Sequence, residues 1–196
     1  MIGLLILFTV AVSASGAEAY KPDDFIHALG ASHFGYWGLT EACPNGSYAS
    51  AFEIKLEPEQ GAFDDDTSVN AIRLRCSTPD GTSVGDVTSD SMNRGSWTGV
   101  RACPQGSFLK GYQLKSENGG HTDNTAANAL RMWCSGSDQG LESPGTKWGS
   151  WLEHVSCKKD KVICGLMTRV EEDQGILLDD SALNDVRFLC CDAPQY

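Results

Sequence analysis

Three stretches of the chain alternate apolar and polar residues in the same way. Phe52, Ile54 and Leu56 interleave with Glu53, Lys55 and Glu57, and Ile72, Leu74 and Cys76 interleave with Arg73 and Arg75. The pattern returns at Tyr112 and Leu114 with Leu130, Met132 and Cys134. It returns again at Leu166, Thr168 and Val170 with Val186, Phe188 and Cys190. A period of two puts alternate side chains on opposite faces of a strand, so each run predicts a strand with one buried face. Connections rich in Gly, Ser, Asp and Pro separate the runs, as from Ser77 to Ser96 and from Ser135 to Thr146. No stretch carries a convincing amphipathic helical period, and the chain reads as all-β.

The strands belong to a triplicated unit. Trp37, Trp97 and Trp151 each precede a cysteine by six residues (Cys43, Cys103, Cys157), and each cysteine precedes a glutamate by fourteen (Glu57, Glu117, Glu171). The units close on DDTSVNAIRLRC, DNTAANALRMWC and DDSALNDVRFLC, each with Asn six residues and Arg three residues before the cysteine. Every opening tryptophan sits in Gly-x-Trp, at Gly35, Gly95 and Gly149. Repeated units that cannot bury an apolar face alone bury it against one another. With about four strands per copy, three sheets closing around a pseudo-threefold axis make a prism with a triangular core. A β-trefoil is the rival threefold answer, but it calls for shorter and more uniform units than these linkers allow.

Cysteine usage and charge narrow the setting. The eight cysteines read as four disulfides in an oxidising compartment. Position within the repeat pairs Cys43 with Cys76 and Cys103 with Cys134, closing loops of roughly thirty residues that stabilise by about 3–4 kcal/mol each. In the third copy, Cys157–Cys190 with Cys164–Cys191 and the crossed pairing Cys157–Cys191 with Cys164–Cys190 both stay open. No Cys-x-x-Cys pair occurs and His27, His33, His121 and His154 are scattered, which argues against zinc. A net charge of −11 argues against a nucleic-acid partner. Met1–Ala17 carries a short apolar run followed by small residues, the form of a secretory signal peptide. The expected layout is 1–17 signal peptide, 18–32 N-terminal segment and 33–196 one domain, with repeats at about 33–90, 91–144 and 145–192. A soluble, secreted monomer without a cofactor or membrane insertion is expected.

The unit W-x5-C-x13-E followed by D-[DN]-[TS]-x-x-N-x-[ILV]-R-x-x-C resembles the vitelline membrane outer layer protein 1 family. The phrases FEIKLEPEQGAFDDDTSVNAIRLRC and GLMTRVEEDQGILLDDSALNDVRFLCC and the Cys190-Cys191 pair carry the resemblance over roughly His33 to Asp192. It implies a β-prism of three Greek-key four-stranded sheets. It also implies a secreted structural or interaction protein of an egg envelope or other extracellular layer, with extracellular glycans or egg-coat glycoproteins as partners. The alternative it implies is a carbohydrate-active enzyme with N-acetylhexosamine transfer activity on chito-oligosaccharides. Asn124 in place of the second acid of copy two, and Lys158 to Val162 in copy three, depart from the repeat.

For such an enzyme, two carboxylates would flank a sugar, one with a raised pKa. The candidates are Glu57, Asp66, Glu117, Asp123, Glu171 and Asp180. Residues repeated in every copy fit a fold role better, because catalysis needs one asymmetric site. Asp65, Asp66 and Thr67, with Asp179, Asp180 and Ser181, fit Asx turns better than calcium ligands. Glu57 with Arg73, Glu117 with Arg131 and Glu171 with Arg187 are expected as cross-strand salt bridges. Glycan binding needs aromatic platforms, for which Trp133, Tyr36 and Trp148 are the candidates, with Tyr48 behind them. Trp133 stands out because its repeat equivalents are Arg75 and Leu189. Trp37, Trp97 and Trp151 are expected in the core.

Overall fold

The alternating runs form the long strands of three antiparallel sheets in a computed structural model, which describes residues 20–58, 67–117, 126–171 and 182–195. Asp65, Asp66, Asp123, Asn124, Asp179, Asp180, Ser181, His121 and Met1–Ala17 lie outside the described residues. After a short 3-10 turn (Pro22–Asp24), the strands in chain order are β1 (Phe25–Ile26), β2 (Tyr36–Trp37), β3 (Glu41–Ala42), β4 (Tyr48–Leu56) and β5 (Val69–Ser77). They continue as β6 (Ser83–Thr88), β7 (Ser96–Trp97), β8 (Arg101–Ala102), β9 (Leu109–Ser116) and β10 (Ala127–Cys134). The last are β11 (Gly140–Glu142), β12 (Ser150–Trp151), β13 (Val155–Ser156), β14 (Lys161–Val170) and β15 (Leu183–Asp192).

Each sheet has four lanes in the same order. The first runs β6-β5-β4-β7, the second β11-β10-β9-β12 and the third β1-β15-β14-β2. The fourth lane of each is broken, with β8, β13 and β3 pairing on the same long strand as β7, β12 and β2. In chain order β4, β5, β6 and β7, the fourth strand returns beside the first, which is a Greek key. The three sheets face one another across a shared core built from Phe52, Ile72, Tyr112, Leu130, Leu166 and Phe188, all at most 1 % exposed. This is the β-prism.

One expectation is corrected. A sequence unit does not supply a whole sheet. The opening strands of each unit dock on the hairpin of the preceding one: β7 and β8 on β4, β12 and β13 on β9, and β2 and β3 on β14. The third sheet therefore joins the N-terminal strands to the C-terminal hairpin and closes the ring. The disulfides follow the same exchange. Cys43–Cys76 links the third sheet to the first, Cys103–Cys134 the first to the second, and Cys157–Cys190 the second to the third. Cys164–Cys191 lies within the third sheet, between β14 and β15, so the uncrossed pairing is the one adopted.

The repeated asparagines have a structural task. Asn70, Asn128 and Asn184 are the extra residues of three equivalent β-bulges, where the ladder steps from Leu56↔Val69 to Lys55↔Ala71, from Ser116↔Ala127 to Lys115↔Ala129, and from Val170↔Leu183 to Arg169↔Asp185. Each is fully buried and donates from Nδ2, at 3.1 Å, to the carbonyl two residues back. Those carbonyls belong to Ser68, Ala126 and Ala182, which hold left-handed φ of 54°, 45° and 46°. They also accept the backbone N–H of Glu57, Glu117 and Glu171. A bulge leaves backbone groups to be satisfied locally, and a short amide side chain does so.

Tyr112 ties two sheets. Its hydroxyl donates to Val186 O at 2.9 Å and accepts from Ala28 N at 2.8 Å, and burial pushes its pKa above the ordinary 10.0.

Candidate functional site

The outward faces of the sheets carry the repeated arginines. Arg73, Arg131 and Arg187 lie over the rings of Trp97, Trp151 and Trp37, at 3.7, 4.3 and 4.2 Å from the ring centroids. The opening tryptophans are thus half-buried on the outer faces and not in the core, because two-residue edge strands leave their rings free to reach across the sheet. The expected pairing with the repeated glutamates is also corrected. The ladder sets Arg73 opposite Glu53, and the two pair at 3.1 Å. Arg131 bonds Glu142 through Nε at 3.0 Å. Glu57 instead accepts from the Thr67 hydroxyl at 2.5 Å. Glu57, Glu117 and Glu171 fall just past the ends of β4, β9 and β14, one per sheet. The other three carboxylate candidates, Asp66, Asp123 and Asp180, lie outside the described residues.

Trp133 stands on the outer face of the second sheet, where the chain has made room for it. An ideal Cβ on Gly140 would lie 3.0 Å from Trp133 Cε2, and one on Gly111 would lie 2.8 Å from His154 Nε2 and collide with Ser156 Oγ. These two glycines flank Trp133 in the ladder, so the missing side chains create the hollow. The Trp133 and His154 rings stack at 4.1 Å, and Trp133 Nε1–H donates to Asp138 O at 3.2 Å. His154 Nε2 is 3.1 Å from Ser156 Oγ. Beside this aromatic wall, Lys110 is the extra residue of a second bulge, between Leu109↔Cys134 and Gly111↔Trp133. The result is a cleft of about 460 Å³ lined by Lys110, Trp133, Ser137, Asp138, His154 and Ser156, with Cys134 and Gly136. In the sequence His154 is one of four scattered histidines, with nothing to tie it to Trp133. Its stacking on Trp133 depends on the β13–β9 pairing, which two-residue strands do not advertise.

The equivalent positions in the other sheets differ. In the first, Arg75 takes the place of Trp133 and pairs with Asp86 at 3.3 Å, beside a hollow of about 260 Å³. Hydrogen bonds from Thr78 and Thr82 hold the neighbouring Asp80 below its ordinary carboxylate value. In the third, Leu189 is covered and pairs with Phe25 of β1. The other aromatic candidates stand apart from the cleft. Tyr36 is 86 % exposed on β2, Trp148 precedes β12 with Lys147 Nζ 4.5 Å from its ring centroid, and Tyr48 packs on Phe108. Among the described residues no group of three or more His, Cys, Asp or Glu is placed to hold a metal ion. No described helix is long and apolar enough to cross a membrane.

Comparison with known proteins places this geometry. A family model described as Vitelline membrane outer layer protein I matches residues 25–193. The vitelline membrane outer layer protein 1 homologs of Mus musculus and Homo sapiens are 42% and 41% identical, over 81% of this chain and 78% of each relative. Among solved structures, Calsepa lectin in complex with a biantennary N-glycan is similar with TM-score 0.56 at 14% identity, covering 89% of this chain and 99% of that one. A mannose-binding jacalin-related lectin from Ananas comosus gives TM-score 0.51 at 12% identity, covering 86% and 99%. At such identities the likeness is one of fold.

Proposed function

The chain belongs to the vitelline membrane outer layer protein I family, and from that membership we propose that it is a secreted component of an egg envelope or similar extracellular layer that binds glycans through the Trp133 cleft. Met1–Ala17 would direct secretion, and the four disulfides suit an oxidising exterior. The observation that carries the site is the asymmetry of the three outer faces. In the second sheet the Trp133–His154 wall borders a cleft with hydroxyl and ammonium groups at its edge, where the equivalents of Trp133 in the other sheets are Arg75 and Leu189. A pyranose presents an apolar face of C–H groups and a rim of hydroxyls. Trp133 with His154 offers a surface for the first, and Ser137, Ser156 and Lys110 offer partners for the second. Similar prism folds whose names mark them as lectins support this reading.

A transferase would need a facing carboxylate pair, and among the described residues the lining contributes Asp138 as its single carboxylate. Binding is therefore the reading the geometry favours. A glycan array tests it. Signal on a defined set of glycans, lost in Trp133→Ala with the fold retained, is the expected result. A silent array at high protein concentration, or a Trp133→Ala protein that binds as well as the parent, would refute it.

A further inference from the structure

The third sheet carries a different hollow on its outer face. The N-terminal segment, with β1 paired on β15, borders a pocket of about 610 Å³ lined by Tyr20, Phe25, His27, Thr40, Met167 and Arg187, with Pro22. The volume lies within the range of small-molecule sites. Arg187 is the repeat equivalent of Arg73 and Arg131, yet it alone lacks their polar partners. Opposite Arg73 the ladder places Glu53, and opposite Arg131 it places Gln113, which accepts at 3.4 Å. Opposite Arg187 it places Met167. Among the described residues no carboxylate lies within ion-pairing range of Arg187. The nearby Asp185 is engaged by His27 Nε2 at 2.7 Å. The guanidinium is nonetheless held in place, 4.2 Å from the Trp37 ring centroid.

We propose that this pocket binds an anionic sugar, with Arg187 receiving the charged group of the ring. A guanidinium stacked on an aromatic face keeps its edge N–H groups free, and that edge matches the oxygens of a carboxylate or sulfate. Phe25, Tyr20 and Met167 supply apolar walls for the sugar body, and the Thr40 hydroxyl supplies a rim partner. Replacing the glutamate of copy one by methionine removes the internal competitor for the cation. The site is separate from the Trp133 cleft, on a different sheet, and takes a ligand of different charge.

Calorimetric titration with sialyllactose, sulfated lactose and plain lactose tests the assignment. At least one of the two anionic sugars is expected to bind roughly ten- to hundredfold tighter than lactose, as a charge-assisted hydrogen bond implies. The tighter of the two identifies the preferred group. Met167→Glu supplies the partner that Arg73 has in Glu53, so it retains the fold while occupying Arg187, and it is expected to abolish the preference. Arg187→Gln should do the same, and Trp133→Ala should leave it intact. Equal affinity for all three sugars, no binding of either anionic sugar, or a preference that survives Met167→Glu in the folded protein would overturn the proposal.

Discussion

Gly95 shows how single residues set this fold. Its φ is 77°, and an ideal Cβ would lie 2.5 Å from the Leu56 backbone. Gly35 and Gly149 hold φ of 74° and 73° against the backbones of Val170 and Ser116. The turn into each edge strand thus needs both a left-handed residue and no side chain. Gly95→Ala is expected to cost roughly 1–3 kcal/mol in denaturant melts. Tyr112 gives a pH-dependent prediction. Its folded pKa is raised above the ordinary 10.0, so above pH 10 the unfolded chain releases a proton that the folded chain keeps. Stability conferred by Tyr112 is complete below pH 10 and falls by about 1.4 kcal/mol for each further pH unit until the folded pKa is reached. Tyr112→Phe leaves Ala28 N–H and Val186 O without their partner and should cost about 1–3 kcal/mol at neutral pH. Its stability should fall less steeply than that of the parent between pH 10 and 12, as melts at stepped pH would record. The glycines and asparagines were visible in the sequence as repeated letters. Their tasks were not, because a left-handed turn and a bulge are properties of the backbone that residue identity only permits.

At the scale of strands, the long hairpins were legible and the short ones were not. The strands β4, β5, β9, β10, β14 and β15 run for 8 to 10 residues, long enough for a period of two to show. The strands β2, β3, β7, β8, β12 and β13 have two residues each, too few for any period. Those strands decide which unit joins which sheet, so the hand-over between neighbours stayed hidden. The same gap explains the misplacement of Trp37, Trp97 and Trp151, whose large apolar rings argue for a core when the edge strand that exposes them is not foreseen. The hand-over changes what the disulfides do. Each of the three equivalent bridges joins two sheets. Reducing one by Cys103→Ser with Cys134→Ser should loosen the first sheet from the second and cost about 2–5 kcal/mol. Hydrogen exchange should show faster amides in β8 and β10 while β14 and β15 stay protected. Uniform loss of protection across all three sheets would contradict this.

Taken whole, the molecule is a ring of three similar sheets whose ends meet in the third. Sequence repetition fixed the number of sheets and the shared core, since three apolar faces at matched spacing have few ways to be buried together. It could not locate the sites, because both depend on departures from the repeat. Trp133 replaces Arg75 of the first copy, and Met167 replaces Glu53. The first departure is legible as a lone aromatic, since its repeat equivalents are Arg75 and Leu189. The second is not legible, since a methionine among strand residues reads as packing. Symmetry builds the scaffold here, and its breaking gives each face its own chemistry.

The most direct measurement of the central claim is the response of the indole N–H signals to a biantennary N-glycan. The protein has five tryptophans, so isotope labelling gives five indole resonances, assignable by single substitutions. The Trp133 resonance should shift progressively to saturation, while those of Trp37, Trp97 and Trp151, covered by arginines, stay in place. A Trp133 resonance that stays still while another tryptophan moves, or five unmoved resonances, would contradict it.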